Sequence, residues 1–132
     1  MTSKFAVLGS PISHSLSPLL HRAAFSSSGI DASYEALELA SGLGEFANSL
    51  DASWMGLSLT MPLKEEALDV ASQLHPLAIS TRSANTLVRH EETWLAYNTD
   101  VMGLQYAVKD LDFKTVGILG SGATARSAAV AF

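Results

Sequence analysis

Apolar and polar positions alternate between strand-like and helix-like patterns in the first half of the chain. Short apolar or alternating segments at residues 5–8, 34–39 and 54–60 have the length of β-strands. Each is followed by apolar residues at helical spacing: Leu19, Leu20, Ala23 and Ala24; Leu43, Phe46, Ala47 and Leu50; and Leu63, Ala67, Val70, Ala71 and Leu74. Three β–α units in succession predict a parallel sheet covered by helices.

Local signals mark the helix boundaries. Ser17 precedes Pro18, which predicts that Ser17 caps a helix and that Gly29 ends it in a left-handed conformation. The third helix is entered through Pro62, so Lys64 is expected in its first turn. Thr99 is predicted to cap a further helix with an apolar stripe that runs to about residue 111.

The parallel pattern breaks in the second half. Residues 85–89 and 94–98 flank a short polar connection and predict an antiparallel hairpin. Residues 115–119 have the pattern of another buried strand, which leads into a glycine-rich loop at residues 120–125. The predicted fold is therefore α/β, with a mostly parallel open sheet flanked by helices, followed by the truncated start of a Rossmann dinucleotide-binding domain.

Composition excludes several classes of function. The eight basic residues are scattered and the net charge is −5, so no nucleic-acid surface is predicted. The absence of cysteine excludes disulfides, a thiol nucleophile and Cys-ligated metals, and the four histidines lack metal-ligand spacing. No apolar run is long enough for a signal peptide or a membrane span. We expect a cytoplasmic protein without a metal, and nothing in the sequence indicates its oligomeric state.

The glycine-rich loop is the first candidate for chemistry. Gly120 and Gly122, with Ala125, match the dinucleotide fingerprint, in which glycines let the backbone approach a pyrophosphate at a helix N-terminus. Alone, the pattern is equally typical of a tight strand-to-helix turn. The residue that would contact the ribose is expected about twenty positions further on, beyond Phe132.

Two charged residues and a serine-rich loop are the other candidates. A cation in a first helical turn is disfavoured by the dipole, so Lys64 is either a solvated side chain or a general base. Asp100 either compensates a helix dipole or acts with Lys64. Ser13, Ser15 and Ser17 serve as turn and cap residues, or hold an anionic, hydroxylated ligand at the sheet edge.

Five ordered motifs together resemble the shikimate dehydrogenase family. They are GSPISHSLSP at residues 9–18, TMPLK at 60–64, SANTL at 83–87, YNTD at 97–100 and GSGATAR at 120–126. The opening motif is highly specific to that family, and the resemblance extends through nearly the whole chain. It also turns the weak glycine fingerprint into a strong one.

The resemblance implies a reversible, NADP-dependent oxidation of shikimate to 3-dehydroshikimate in aromatic amino-acid biosynthesis. It assigns the substrate carboxylate to Ser15 and Ser17, and the substrate hydroxyls to Thr60, Asn85 and Asp100. Lys64 and Asp100 become the catalytic pair. The cofactor would be held by the loop residues Gly120, Gly122, Ala123, Thr124 and Ala125.

Three positions depart from the family pattern and keep other functions open. Ser58 stands where the family commonly has Asn, Arg82-Ser83-Ala84 where it usually has Gly-Ala-Val, and Val101 where Gly is frequent. One alternative is a paralogue that acts on quinate or an amino-substituted analogue. Another is a non-catalytic module that senses a shikimate-like acid, although such a module has no need of Lys64 and Asp100.

The predicted domain organisation is one unit and the beginning of another. Residues 1–100 are expected to form the substrate-binding domain, and residues 101–132 a linking helix and the start of an incomplete Rossmann domain. The helical pattern continues to Phe132 without a capping residue, which indicates a truncated chain. We therefore expect these 132 residues to have little or no dehydrogenase activity on their own.

Overall fold

The protein is described by a computed structural model that covers residues 2–132. The strands are β1 (Ser3–Gly9), β2 (Ala32–Glu38), β3 (Trp54–Leu59), β4 (Gln73–Leu74), β5 (Thr86–His90) and β6 (Thr93–Tyr97). The helices are α1 (Ser17–Ser27), α2 (Leu43–Ser49), α3 (Ala67–Val70), α4 (Pro76–Thr81), α5 (Asp100–Ala107) and α6 (Ala123–Ala131).

All the strands within the described range form one sheet in the order β2-β1-β3-β5-β6-β4. β1 pairs in parallel with both β2 and β3, as the successive β–α units predict. β5 and β6 form the predicted antiparallel hairpin, and β5 is antiparallel to β3. With β4 parallel to β6, three of the five pairings are parallel, which confirms the predicted α/β class and mostly parallel sheet.

Helices cover both faces of the sheet, and β1 is therefore buried on both sides. Ala6 and Leu8 point into a large cluster that also contains Leu43 of α2 and Ala67 of α3. Val7 points to the opposite face. The smaller cluster there contains Ile12 and Tyr34, with Phe5 and Phe25 packed against it. The two clusters fix the carboxyl end of β1, where the opening motif begins.

The third helix is much shorter than predicted. It spans only Ala67–Val70, so the prediction of a helix from Pro62 to Leu74 is wrong at both ends. Residues 61–66 form turns, and Gln73–Leu74 pairs with β6 as strand β4. The backbone N–H of Ser72 donates to Trp94 O at 2.9 Å. Tertiary pairing with the hairpin therefore overrides the helical periodicity.

One helix was not predicted. α4 begins at Pro76 after His75, whose Nδ1 accepts a hydrogen bond from Leu77 N at 3.2 Å. Proline at the first helical position was the available signal. Arg82, the C-cap residue of α4, has φ 51°. Glycine adopts that left-handed conformation more readily than arginine does.

Two predicted caps also differ. Leu16, not Ser17, is the N-cap of α1, although the helix starts where expected. Thr99 is the N-cap residue of α5 but makes no side-chain capping bond. The Oδ1 atom of Asn98 instead accepts from the N–H of Asp100 at 3.0 Å and of Val101 at 3.4 Å. The apolar stripe extends past the helix, which ends at Ala107.

The predicted strand at residues 115–119 is not formed. This segment is irregular, and no strand among residues 2–132 pairs with it. Leu119 is fully exposed, and Val116 and Ile118 are 42% and 41% exposed. An apolar run becomes a β-strand only when a neighbouring strand satisfies its backbone N–H and C=O groups.

The glycine loop and its helix lie against the first hundred residues. α6 packs on α5 and α4, and Gln105 Nε2 donates to Ala131 O at 2.9 Å. The division at residue 100 stays a prediction. Between residues 2 and 132, no helix is both long enough and apolar enough to cross a membrane.

Candidate active site

The carboxyl ends of β1 and β3 open into a cavity of about 490 Å³. A neighbouring cavity of about 510 Å³ lies between residues 60–65 and the glycine loop. Both cavities are lined by Thr60 and Lys64. The predicted substrate-contacting and catalytic side chains line the first cavity together: Ser15, Ser17, Thr60, Lys64, Asn85 and Asp100.

Close packing holds the opening motif against the segment that carries Lys64. Ser10 N donates to Met61 O at 2.9 Å, and Thr60 N donates to Leu8 O at 2.9 Å. A Cβ atom at Gly9 would lie only 2.8 Å from Met61 O, so a side chain there would push the two segments apart. Gly9 thus allows the two segments to pack closely, so that the serine-rich loop and Lys64 line the same cavity.

Lys64 and Asp100 form an ion pair with 2.7 Å between Nζ and Oδ2. Their side chains are 16% and 24% exposed, so solvent screens the pair only partly. Lys64 lies in the turns before Ala67, which corrects the expectation that it occupies the first turn of a helix. Its amine is held by a carboxylate, and Lys64 O accepts from Ala84 N at 2.8 Å.

Asn85 connects Asp100 to the hairpin. Its Nδ2 donates to Asp100 Oδ1 and to Thr99 Oγ1, both at 2.8 Å. Its Oδ1 accepts from Thr99 N and from Thr86 Oγ1, both at 3.0 Å. Each oxygen of the Asp100 carboxylate therefore has its own donor, one from Lys64 and one from Asn85. The arrangement fixes the carboxylate plane at the edge of the cavity.

Asn98 is a positioning residue that the sequence reasoning missed. It is 3% exposed, and its Oδ1 caps α5 at the catalytic candidate Asp100. Its Nδ2 lies 2.9 Å from Thr81 Oγ1, 3.1 Å from Ser83 O and 3.0 Å from Ser127 Oγ. An asparagine just before a helix was the available signal, because its side chain readily accepts from the first free N–H groups.

The serine loop is fastened by Glu38, which the sequence motifs do not single out. Glu38 lies at the end of β2 and accepts from Ser10 Oγ at 2.6 Å and from Ile12 N at 3.0 Å. Ser15 Oγ accepts from Ser17 N at 3.3 Å. Ser15 and Ser17 both line the cavity together with His14 of the same loop, so an anionic ligand would meet serine donors there.

The second cavity is bordered by the glycine loop and the N-terminus of α6. Its glycine-loop wall consists of Leu119, Gly120, Gly122, Ala123, Thr124 and Ala125. Gly120 has φ 116°, a conformation that favours glycine, and α6 begins directly after Gly122. A helix N-terminus beside a loop without bulky side chains is suited to a pyrophosphate. All five predicted cofactor residues are therefore brought to one wall.

Arg126 joins this wall to the Lys64 segment and was also missed as a site residue. Its Nε donates to Thr81 O at 2.8 Å, and its Nη2 lies 2.5 Å from Glu65 Oε1. Glu65 directly follows Lys64 in the chain. The guanidinium thus connects α6, which carries Arg126, to the end of α4 and to the turn that carries Lys64.

Comparison with known proteins shows the family to which the chain is similar. The family model for the shikimate dehydrogenase substrate binding domain matches residues 7–87. A shikimate dehydrogenase (NADP(+)) from Ignicoccus hospitalis is 40% identical over 131 residues, covering 96% of this chain and 50% of the relative.

Two crystal structures of shikimate 5-dehydrogenase from Thermus thermophilus are also similar. One is in complex with shikimate, with a TM-score of 0.91, 35% identity and coverage of 98% of this chain and 52% of the other. The second, in complex with NADP(H) and shikimate, has a TM-score of 0.89, the same identity, and coverage of 98% and 51%. The chain spans about half the length of these relatives. Because the family model matches more than half of its residues, the chain belongs to the shikimate dehydrogenase family.

Proposed function

We propose that the whole protein catalyses the reversible, NADP-dependent oxidation of shikimate to 3-dehydroshikimate. This chain would supply the substrate cavity, the proton-transfer lysine and the first part of the cofactor site. The observation that carries the proposal is the position of the Lys64–Asp100 pair, since Lys64 lines both cavities and Asp100 lines the first. A dehydrogenase needs its proton-transfer group where substrate and cofactor meet.

Substrate binding uses the hydroxyls and amides around the first cavity. Ser15 and Ser17 would hold the carboxylate, since they present donors on one loop. Thr60, Asn85 and Asp100 line the same cavity and would contact the ring hydroxyls. The ordered network that fixes Asn85 and Asp100 reduces the entropy lost when the ligand binds.

Proton transfer is assigned to Lys64. In the oxidation, its neutral amine accepts the proton of the reacting hydroxyl, and the C–H electron pair departs as hydride. NADP, held at the glycine loop, would supply the acceptor for that hydride. In the reverse direction, the Lys64 ammonium returns the proton to the alkoxide oxygen. Asp100 orients the amine and the reacting hydroxyl, because its Oδ2 lies 2.7 Å from Nζ.

The cofactor would be held by Gly120, Gly122, Ala123, Thr124 and Ala125. The open loop and the free N–H groups of α6 suit the pyrophosphate. The choice of NADP over NAD is supported by the relative that is named for NADP(+) and by the complex with NADP(H). We place the reaction in the cytoplasm, which the cysteine-free sequence favours.

The decisive experiment measures NADP reduction by the full-length protein with shikimate and, separately, with quinate. Shikimate is expected to give the higher kcat/KM. Lys64→Ala should lower kcat by at least about 100-fold while shikimate binding by calorimetry persists, because the loss is in proton transfer. The exposed Lys114→Ala serves as the matched control. Preference for quinate, or near-normal turnover by Lys64→Ala, contradicts the proposal.

A further inference from the structure

A single carboxylate at the end of β2 holds the start of the serine-rich loop at two points. The Oε1 atom of Glu38 accepts from Ser10 Oγ at 2.6 Å, and its Oε2 atom accepts from Ile12 N at 3.0 Å. A carboxylate has only acceptor atoms, so the donors in both bonds are defined. The two bonds lie on either side of Pro11, which has no backbone N–H of its own. Glu38 therefore fastens the loop to the sheet directly before and after the proline.

Ile12 connects this contact to the two serines of the cavity. Its carbonyl oxygen accepts from Ser15 N at 3.0 Å, and its side chain is 5% exposed and packs in the smaller core cluster. Ser15 Oγ accepts from Ser17 N at 3.3 Å. Because an N–H group can only donate, the Ser15 oxygen is the acceptor in this bond, and no group within residues 2–132 accepts the Ser15 hydroxyl proton. That proton is available to an acceptor atom in the cavity.

Glu38 acts on the cavity only through this loop. It is exposed, it is not among the residues that line the cavity, and no basic side chain within residues 2–132 forms an ion pair with it. A negative charge does not attract an anionic ligand. Any contribution of Glu38 to the binding of an acid must therefore come from the position that it gives to the serine donors.

We propose that Glu38 is a positioning residue that determines how tightly the protein binds the carboxylate of its substrate. This inference rests on the proposed function and assigns a specificity role to a residue outside the cavity. Without the Glu38 carboxylate, the segment around Ile12 is held to β2 by fewer bonds, and the serine hydroxyls sample more orientations. The entropy lost when an acid binds is then larger, so affinity for the acid falls. Affinity for a ligand with a neutral group at this position changes less, because hydrogen bonds to a charged acceptor are the stronger ones.

The test compares shikimate with its methyl ester, which has no carboxylate charge, as substrates of the full-length protein. Glu38→Ala is expected to raise KM for shikimate about 3- to 10-fold and KM for the ester less than about twofold, with kcat and KM for NADP within about twofold of the unsubstituted protein. Glu38→Gln should restore most of the affinity, because its amide oxygen can accept from Ile12 N and its amide nitrogen can donate to Ser10 Oγ. Glu35→Ala, at an exposed residue of the same strand, is the matched control.

The possible results separate this proposal from the proposed function. If shikimate is oxidised and Glu38→Ala leaves its KM unchanged, or raises the KM of acid and ester equally, the positioning role is overturned and the proposed function stands. A KM that Glu38→Gln does not restore would assign the effect to the charge of Glu38 and would also overturn the positioning role. If the protein binds shikimate without oxidising it, the proposed function fails, and the same comparison made with dissociation constants decides the role of Glu38. If the protein neither oxidises nor binds shikimate, both proposals fail.

Discussion

Lys64 Nζ lies 2.7 Å from Asp100 Oδ2, although 36 residues separate them in the chain. The second carboxylate oxygen of Asp100 accepts from Asn85 Nδ2 at 2.8 Å. Three segments therefore meet at one carboxylate: the turn before α3, the start of β5 and the start of α5. Because both oxygens have a partner, Asp100 cannot rotate without losing a hydrogen bond, which fixes the lysine amine at the boundary of the two cavities.

Replacing the charge of Asp100 tests this arrangement. Asp100→Asn preserves the shape and an oxygen for Asn85, but it removes the anion that holds Lys64. We expect kcat of the full-length protein to fall by at least about 100-fold, the usual scale for an impaired acid–base group, with little change in Tm. Steady-state kinetics and thermal unfolding measure the two effects. Asp112→Asn, an exposed substitution, is the control; equal activity of the two variants would remove Asp100 from the mechanism.

The composition of the site could be predicted from the sequence, whereas its internal connections could not. Short ordered motifs identified Lys64, Asn85 and Asp100, and the structure brings all three together at one cavity. Asn98 and Arg126 lie within two of those motifs, yet their partners are remote in sequence. A hydrogen bond between Asn98 and Ser127 depends on how α6 packs, which local periodicity does not encode.

The Asn98 network predicts that stability and catalysis respond differently to two substitutions. Asn98→Ser shortens the side chain that caps α5 and removes the buried amide donors, so kcat and the free energy of unfolding should both fall, the latter by about 1–3 kcal/mol. Ser127→Ala removes only the link to α6 and should cost about 1 kcal/mol while kcat is largely retained. Denaturant unfolding and turnover of the full-length variants provide the comparison. A kcat loss for Ser127→Ala as large as that for Asn98→Ser would contradict the separate roles.

Arg126 is predicted to hold the glycine-loop wall of the second cavity in a fixed position relative to Lys64. Arg126→Ala removes the contacts to Thr81 O and Glu65, so KM for NADP should rise more than KM for shikimate. Arg126→Lys keeps the charge but cannot reproduce the planar fork, and an intermediate effect is expected. Glu65→Gln should have the smallest effect, because that side chain is 65% exposed. Equal increases of both KM values in Arg126→Ala would contradict a role specific to the glycine-loop wall.

Sequence patterns also could not predict part of the fold, because strand pairing depends on residues that are distant along the chain. The parallel β1–β3 core and the β5–β6 hairpin follow from periodicity and turn signals. Leu74 also fits the apolar stripe of a helix. It lies in a strand because Gln73–Leu74 pairs with Leu95 and Ala96 of β6. Residues 115–119 have the pattern of a strand but no described strand beside them. In both segments the outcome depends on a neighbour that is distant along the chain.

Asp51 gives a pH-dependent prediction at the opposite end of the sheet from the site. Hydrogen bonds from the Ser53 hydroxyl and backbone N–H, with a smaller contribution from the Lys4 ammonium, lower the pKa of Asp51 below its ordinary value of 3.8. A carboxyl with a lower pKa in the folded state contributes stability above the unfolded-state value, and loses it as the pH falls through the folded-state value. Asp51→Asn should therefore lower Tm at pH 7, with the difference from the unsubstituted protein shrinking as the pH falls below 3.8. Thermal unfolding of both proteins from about pH 2 to 7, with Asp112→Asn as the control, measures this. A Tm difference that is constant across the range would show that the Asp51 charge does not contribute.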